Sequence, residues 1–157
     1  MKYARLTKEQ LEELHAEFAN FLASQQIDKN EWDQLKIDKP EVAEQEIDIF
    51  SDLVWEGVLK SAQYIEHFSK SHIFLFQFDE KNIDTIVLKS TNPSVDFLQK
   101  EGLQWLGENL GSDEVEIRFG AKEFGGDRNG EIFEIIQQGG ILSQGELYHQ
   151  IKQILNK

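Results

Sequence analysis

The sequence contains no cysteine among its 157 residues. Disulfide frameworks, thiolate metal sites and cysteine nucleophiles are therefore excluded by composition, which is typical of a reducing compartment. No apolar signal core follows Met1, and no apolar run approaches the roughly 18 residues of a membrane-spanning helix. We therefore expect a soluble cytoplasmic protein.

Basic residues are scarce, with 16 Lys and Arg against 29 Asp and Glu, and the formal net charge is −13. The acidic excess is largest in residues 1–56, which hold 14 acidic and 6 basic residues, whereas residues 128–157 are neutral overall. Such a field repels nucleic-acid phosphates and anionic lipids and attracts basic protein surfaces. The charge pattern predicts a basic protein surface as the partner, with neither nucleic acid nor membrane, and it is compatible with a homodimer.

Common catalytic and cofactor signatures are also missing, including the P-loop ending, the dinucleotide glycine pattern, the Gly-x-Ser-x-Gly elbow and the His-Glu-x-x-His helix. His67 and His72 flank a predicted turn, but strand alternation directs nearby Glu66 to the opposite face from His67. A catalytic zinc ion normally takes three convergent protein ligands. We therefore predict no metal site and no cofactor, and we interpret His15 and His149 as helix-edge or surface residues.

What the sequence does have is core material, with 11 Phe, 3 Trp and 3 Tyr. A chain of this length buries about 70% of its unfolded surface, so we predict a single domain over residues 1–157. Thr7 with Gln10 and Asp28 with Glu31 indicate helix starts, and Pro40 suits a first helical turn. These signals predict helices over about 8–23, 28–38 and 40–60, the third with the broadest apolar face and hence the most buried.

The next segments alternate as strands. Runs at 64–68, 73–78 and 85–89 are separated by short polar turns and predict an antiparallel meander, and residues 115–119 add a strand. The middle strand places Phe74, Phe76 and Phe78 on one face, which we expect to pack against helices. The fold class is predicted as α+β, with an antiparallel sheet of about five strands, a helix near 94–109 and a C-terminal helix near 143–156 opened by Ser143 with Glu146.

The glycine-rich segment 120–130 leaves two interpretations open. It is typical of a mobile loop that closes a hairpin through an Asn129-Gly130 turn, and it also has the backbone freedom to bind an anion with Arg118, Lys122 and Arg128. Ile132 to Ile136 could be strand or helix. A helical interpretation, followed by Gly139-Gly140 and the last helix, resembles the opening pair of a winged helix but supplies no third helix to enter a DNA groove.

Three carboxylates form the candidate binding site. Asp48, Asp52 and Glu56 are four residues apart on the predicted third helix and therefore share one face. They could dock Lys or Arg of a partner, contribute to a divalent-metal site, or form a solvated helix edge. In the docking hypothesis Glu9, Glu13 and Glu17 on the first helix add to the attraction.

Several short motifs together resemble a family of small bacterial proteins of unknown function. They are Met1-Lys2-Tyr3, Arg5-Leu6-Thr7, Glu31-Trp32, Lys39-Pro40, Ile47-Asp48, Phe50-Ser51-Asp52, Gly139-Gly140-Ile141-Leu142-Ser143, Gly145 and Leu147. The resemblance runs the length of the chain and implies no particular activity or site. In size, acidity and element order the chain is also similar to acidic type III secretion chaperones, although its N-terminal helices are additional.

Two functions follow as hypotheses. The first is a non-enzymatic protein-binding or regulatory module, which the acidic surface and the missing catalytic motifs favour. The second is a small-ligand-binding or hydrolytic enzyme that uses carboxylates in a pocket between the sheet and the third helix. A flat acidic or apolar patch would favour the first, and a deep pocket with perturbed Asp or Glu would favour the second.

Overall fold

A computed structural model describes residues 1–156 and divides the chain into two units, Met1–Lys60 and the part from Ser61 onward. Among the described residues there are seven helices and a five-stranded antiparallel sheet, so the α+β prediction is confirmed. None of these helices is both long and apolar enough to cross a lipid bilayer.

The first unit contains four helices: α1 (Lys8–Glu13), α2 (His15–Ser24), α3 (Lys29–Asp38) and α4 (Pro40–Ser61). Thr7 forms the expected capping box with Gln10, and the Asp28 carboxylate accepts the Glu31 N–H at 2.8 Å. The predicted helix over 8–23 is in fact two helices. Leu14, at φ −99° and ψ 22°, leaves the helical region between them. No glycine or proline occurs at this break, and the apolar periodicity continues through it. The sequence pattern therefore predicted one uninterrupted helix.

An aromatic cluster forms the core of this unit. The Phe18 ring lies 5.2 Å from Trp32 and 5.0 Å from Phe50, which is buried. α4 has four buried residues, more than any other described helix, but Ile49 and Leu53 of its predicted apolar face are 50% and 56% exposed. The apolar stripe of α4 is wider than the face it buries.

The second unit is built on the sheet, with β1 (Tyr64–Phe68), β2 (His72–Phe78), β3 (Asn82–Ser90), β4 (Val115–Glu123) and β5 (Ile141–Ser143). The strand order is β4-β3-β2-β1-β5, and all neighbours are antiparallel. The predicted meander is therefore present, and its strands are longer at β2 and β3 than the sequence indicated. β5 is a three-residue edge strand beside β1.

Three helices accompany the sheet: α5 (Lys100–Asn109), α6 (Arg128–Gln137) and α7 (Glu146–Leu155). The main core cluster combines Ile73 and Leu75 of β2 with Leu106 of α5 and Ile151 of α7. Phe74 and Phe76 on the other face are only half-buried. Phe78, at the end of the same face, is buried at 4% exposure, so the predicted phenylalanine face is covered at Phe78 and only partly covered at Phe74 and Phe76.

Gly102 explains where α5 lies. The helix begins at Lys100, later than the predicted 94, and a β-carbon at position 102 would overlap the backbone carbonyl oxygen of Asp96. The glycine therefore allows a close approach of two backbone segments.

The glycine-rich segment also differs from expectation. Asn129 and Gly130 lie in the first turn of α6, where the Asp127 carboxylate accepts the Gly130 N–H at 3.1 Å as a helix cap. The hairpin-turn prediction is wrong because Asp127 competes as a cap, and residues 132–136 are helical. A β-strand, β5, separates α6 from α7. Ser143 lies in this strand, and the predicted capping box with Glu146 does not form.

Candidate binding site on helix α4

The candidate site lies in the first unit, where an N-terminal segment, residues 2–6, runs along α4. The backbone N–H groups of Lys2 and Tyr3 donate to the two carboxylate oxygens of Asp52 at 2.8 and 2.9 Å. One turn later along α4, Glu56 accepts from the Lys2 ammonium group at 3.2 Å and from the Tyr3 hydroxyl. Two of the three predicted carboxylates thus hold the same dipeptide.

The other end of the N-terminal segment is held by Asp48 and Ser51. Arg5 Nε donates to Asp48 Oδ1 at 2.6 Å. The Leu6 N–H donates to the hydroxyl of Ser51, which is fully buried, at 3.0 Å. Leu6 itself is buried, so this end combines a charged contact with an apolar one.

The spacing explains the match between segment and helix. Asp48 and Glu56 are eight residues apart, which is about 12 Å along a helix at 1.5 Å per residue. Lys2 and Arg5 are three residues apart, which is about 10 Å in an extended chain. Because Arg5 contacts Asp48 and Lys2 contacts Glu56, the N-terminal segment runs antiparallel to α4.

Two side chains of this site, Asp48 and Tyr3, have pKa values shifted in opposite directions. The hydrogen bond from Arg5 lowers the pKa of Asp48, and the charge of Arg5 adds to the effect. Burial raises the pKa of the Tyr3 hydroxyl, and its hydrogen bond to Glu56 raises it further. At neutral pH Asp48 is therefore ionised and Tyr3 is a neutral donor, which are the states that the observed contacts need.

We call Asp48, Asp52 and Glu56 the acidic row. The structure brings all three together on one face of α4, half-buried beneath the N-terminal segment. Glu9, Glu13 and Glu17 are exposed on α1 and α2. Sequence reasoning missed Lys2, Tyr3, Arg5 and Ser51. The signal that could have identified them is the pair of cations whose extended spacing matches two turns of an acidic helix face.

In a comparison with known protein families, one family model matches residues 1–156, which is nearly the whole chain. The chain belongs to DUF6495, a family of unknown function. The predicted membership of a family of unknown function is thereby confirmed. No curated protein and no solved structure matches the chain significantly.

Two of the four histidines of this DUF6495 member, His67 and His72, lie close to the ring of one phenylalanine. The rings of His67 and His72 are each 5.8 Å from the ring of Phe74, and His72 Nδ1 is 2.9 Å from the Ser71 hydroxyl. Glu66 faces away from them, opposite Leu75 on the other side of the sheet. Within residues 1–156 no three His, Cys, Asp or Glu side chains gather where they could hold a metal ion.

The three cations of the anion-loop hypothesis lie on two different elements. Arg118 and Lys122 lie on β4 and are exposed. Arg128 is instead in α6, where Nε donates to the Asp79 carbonyl at 2.9 Å and Nη2 to the Ala62 carbonyl at 2.8 Å. Arg128 therefore joins backbone segments of the second unit, so one of the three cations of the anion-loop hypothesis is engaged with carbonyl oxygens.

A cleft of about 480 Å³ lies between α6 and one face of the sheet. Its lining includes Phe76, Lys122, Glu131 and Glu134. Glu131 accepts the Gly125 N–H at 2.7 Å, so one of these carboxylates already holds the loop before α6. The cleft contains charged groups of both signs and the hydroxyl of Thr85, and no histidine is among the described residues that line it.

A second polar group that the sequence did not indicate lies near α7. The Tyr64 hydroxyl is 2.8 Å from His149 Nε2 and accepts from Gln77 Nε2 at 3.0 Å. Burial raises the pKa of Glu66 on the same sheet face, and the charge of Glu146 raises it further. These contacts tie β1, β2 and α7 together, and His149 is exposed as predicted while also contacting Tyr64.

Proposed function

We propose that this chain is a non-enzymatic protein-binding module whose acidic row receives a basic, extended segment of a partner protein. The observation that carries the proposal is the N-terminal segment itself. It occupies the acidic row through a cation at each end, with two backbone N–H groups on Asp52 between them. A partner segment with Lys and Arg three residues apart would present the same groups.

Exchange between the two segments is physically reasonable. The side chains of Lys2 and Arg5 remain 53% and 42% exposed in their ion pairs, and ion pairs in contact with water contribute little to stability. A partner can therefore replace them without disrupting the aromatic core of the unit. The N-terminal segment would then act as an internal competitor that sets the affinity for external ligands.

The charge of the first 56 residues supports a basic partner. Exposed charges act mainly on the association rate and are screened over about 8 Å at physiological salt. Binding should therefore slow as salt rises. The cysteine-free composition supports a cytoplasmic location, and the motif resemblance supports a bacterial one.

The test uses a fluorescent peptide with the sequence of residues 1–8 and measures its binding by anisotropy. The Lys2→Ala/Arg5→Ala variant loses both ion pairs but keeps the backbone contacts with Asp52 and Ser51. It should loosen the N-terminal segment and bind the peptide several-fold more tightly than the native chain. Adding Asp48→Asn, Asp52→Asn and Glu56→Gln should abolish that gain. A peptide of the same composition in scrambled order should bind more weakly.

The matched control changes the same number of charges elsewhere, through Glu9→Gln, Glu13→Gln and Glu17→Gln in the Lys2→Ala/Arg5→Ala background. It should slow association slightly and leave the dissociation rate unchanged. Equal loss of binding in the control and in the acidic-row variant would show general electrostatic attraction without a site. Native binding that is indifferent to both salt and the acidic-row changes would refute the proposal.

A further inference from the structure

The outer edge of β4 is a second surface, unrelated to the acidic row. β4 is the terminal strand of the sheet and nine residues long, and residues 118–123 are all exposed. Phe119 is 66% exposed on this strand. Exposed edge strands of this length are templates for pairing with another chain.

The hydrogen bonds at the two ends of β4 show which backbone groups face outward. The Phe124 N–H donates to the Lys81 carbonyl, and the Thr91 N–H donates to the Glu114 carbonyl, each at 2.9 Å. In an antiparallel pair, hydrogen-bonded residues alternate along the strand. Even-numbered residues of β4 therefore bond to β3. The N–H and C=O groups of Ile117, Phe119 and Ala121 point to the free edge.

We propose that β4 pairs with β4 of a second copy of this chain, antiparallel and in the register that places the two Phe119 residues opposite each other. In this register Glu116 of each copy lies opposite Lys122 of the other. These two positions belong to non-hydrogen-bonded pairs, where cross-strand side chains are closest. Two complementary ion pairs therefore flank the two-fold axis on one face of the joined sheet.

Repulsion between like charges disfavours the neighbouring registers. A shift that places Gly120 on the axis sets Arg118 opposite Lys122, and a shift that places Arg118 on the axis sets two arginines opposite each other. Like charges directly opposite are destabilising. In the proposed register Arg118 instead lies opposite Gly120, which has no side chain.

The other face of the paired strands is apolar at its centre, and at its two ends Val115 of one copy lies opposite Glu123 of the other. It brings the two Phe119 rings together and sets Ile117 of each copy opposite Ala121 of the other. Apolar groups thus gather on one face and complementary charges on the other, as expected of a two-sided strand pair. A contact confined to one strand is smaller than the standard interface of about 1,600 Å², so we expect a weak dimer that forms at high protein concentration.

Charge exchange in the full-length chain tests the register. Glu116→Lys alone and Lys122→Glu alone should each weaken dimerisation about tenfold or more by sedimentation equilibrium. The double variant Glu116→Lys/Lys122→Glu should dimerise like the native chain. Mixing the two single variants should restore association, because each then meets opposite charge at both positions.

The matched controls are Glu101→Lys and Lys100→Glu, which alter the same charges at exposed positions of α5. They should leave the dimer unchanged. Hydrogen exchange supplies an independent readout: the amides of Ile117, Phe119 and Ala121 should become protected as concentration rises, while those of Arg118 and Gly120 stay protected throughout. A chain that remains monomeric into the millimolar range, or a dimer indifferent to both single variants, would overturn the proposal.

Discussion

Replacing Ser51 by alanine should loosen the N-terminal segment without touching a charge. The Ser51 hydroxyl accepts the Leu6 N–H at 3.0 Å and donates to the Ile47 carbonyl at 2.7 Å, and both Ser51 and Leu6 are buried. The Ile47 carbonyl loses only a secondary bond, since it lies within a helix. The Leu6 N–H loses its acceptor, and a buried donor left unsatisfied costs about 1–3 kcal/mol.

We therefore expect Ser51→Ala to lower the free energy of unfolding by about 1–3 kcal/mol, measured by urea denaturation with circular dichroism. At roughly 2–4 °C of Tm per kcal/mol for a chain of this size, the Tm should fall by several degrees. Hydrogen exchange at the Leu6 amide should accelerate. Peptide binding to the acidic row should strengthen, because one anchor of the internal competitor is removed.

Ser24→Ala is the matched control. The Ser24 hydroxyl also donates to a carbonyl of its own helix, that of Phe21 at 2.6 Å, but it is exposed and holds no second segment. Its loss should change stability by less than about 0.5 kcal/mol. If Ser51→Ala stays within that same range and the Leu6 amide exchanges at its native rate, the reasoning about this anchor is refuted.

Two other predictions concern pH and backbone packing. Arg5 lowers the pKa of Asp48 in the folded chain below the value of about 3.9 that an aspartate has in an unfolded chain. The stabilisation from their contact is therefore fully present above about pH 3.9 and is lost only as the pH falls through the lowered pKa of Asp48. The N-terminal segment should stay on α4 at pH 5, and amide chemical shifts that report its release there would contradict this. Gly102→Ala should destabilise the chain by more than about 1 kcal/mol, because the new methyl group meets the backbone carbonyl of Asp96. The exposed helical glycine Gly107, which has open space around it, is its control in the same urea assay, and an equal cost at both positions would disprove the packing argument.

Local signals predicted the helices and strands well where a single residue determines the local backbone conformation. Asp28 caps α3 as expected, and Pro40 begins α4. The prediction failed at Asp127, where a cap and an Asn-Gly turn compete over the same four residues. Periodicity alone could not choose, because the choice depends on which apolar face finds a neighbour in the folded unit.

Only one part of the candidate site, the acidic row, could be predicted from the sequence. The spacing of Asp48, Asp52 and Glu56 follows from helical geometry, so their shared face could be read from the sequence. The N-terminal segment that contacts these carboxylates could not be predicted in the same way, since the contacts with Lys2 and Arg5 join residues more than 40 positions apart in the chain. Whether the acidic row also receives a partner stays a prediction, to be decided by the peptide experiment.

The strand order has a consequence for how the second unit folds. β1, β2 and β3 are joined by short turns, so their pairings close small loops and can form early. β5 reaches β1 only after more than 70 intervening residues, through a register of three pairs. We expect β5 and α7 to join a meander that already exists, which would make this edge the last part of the sheet to form and the first to open.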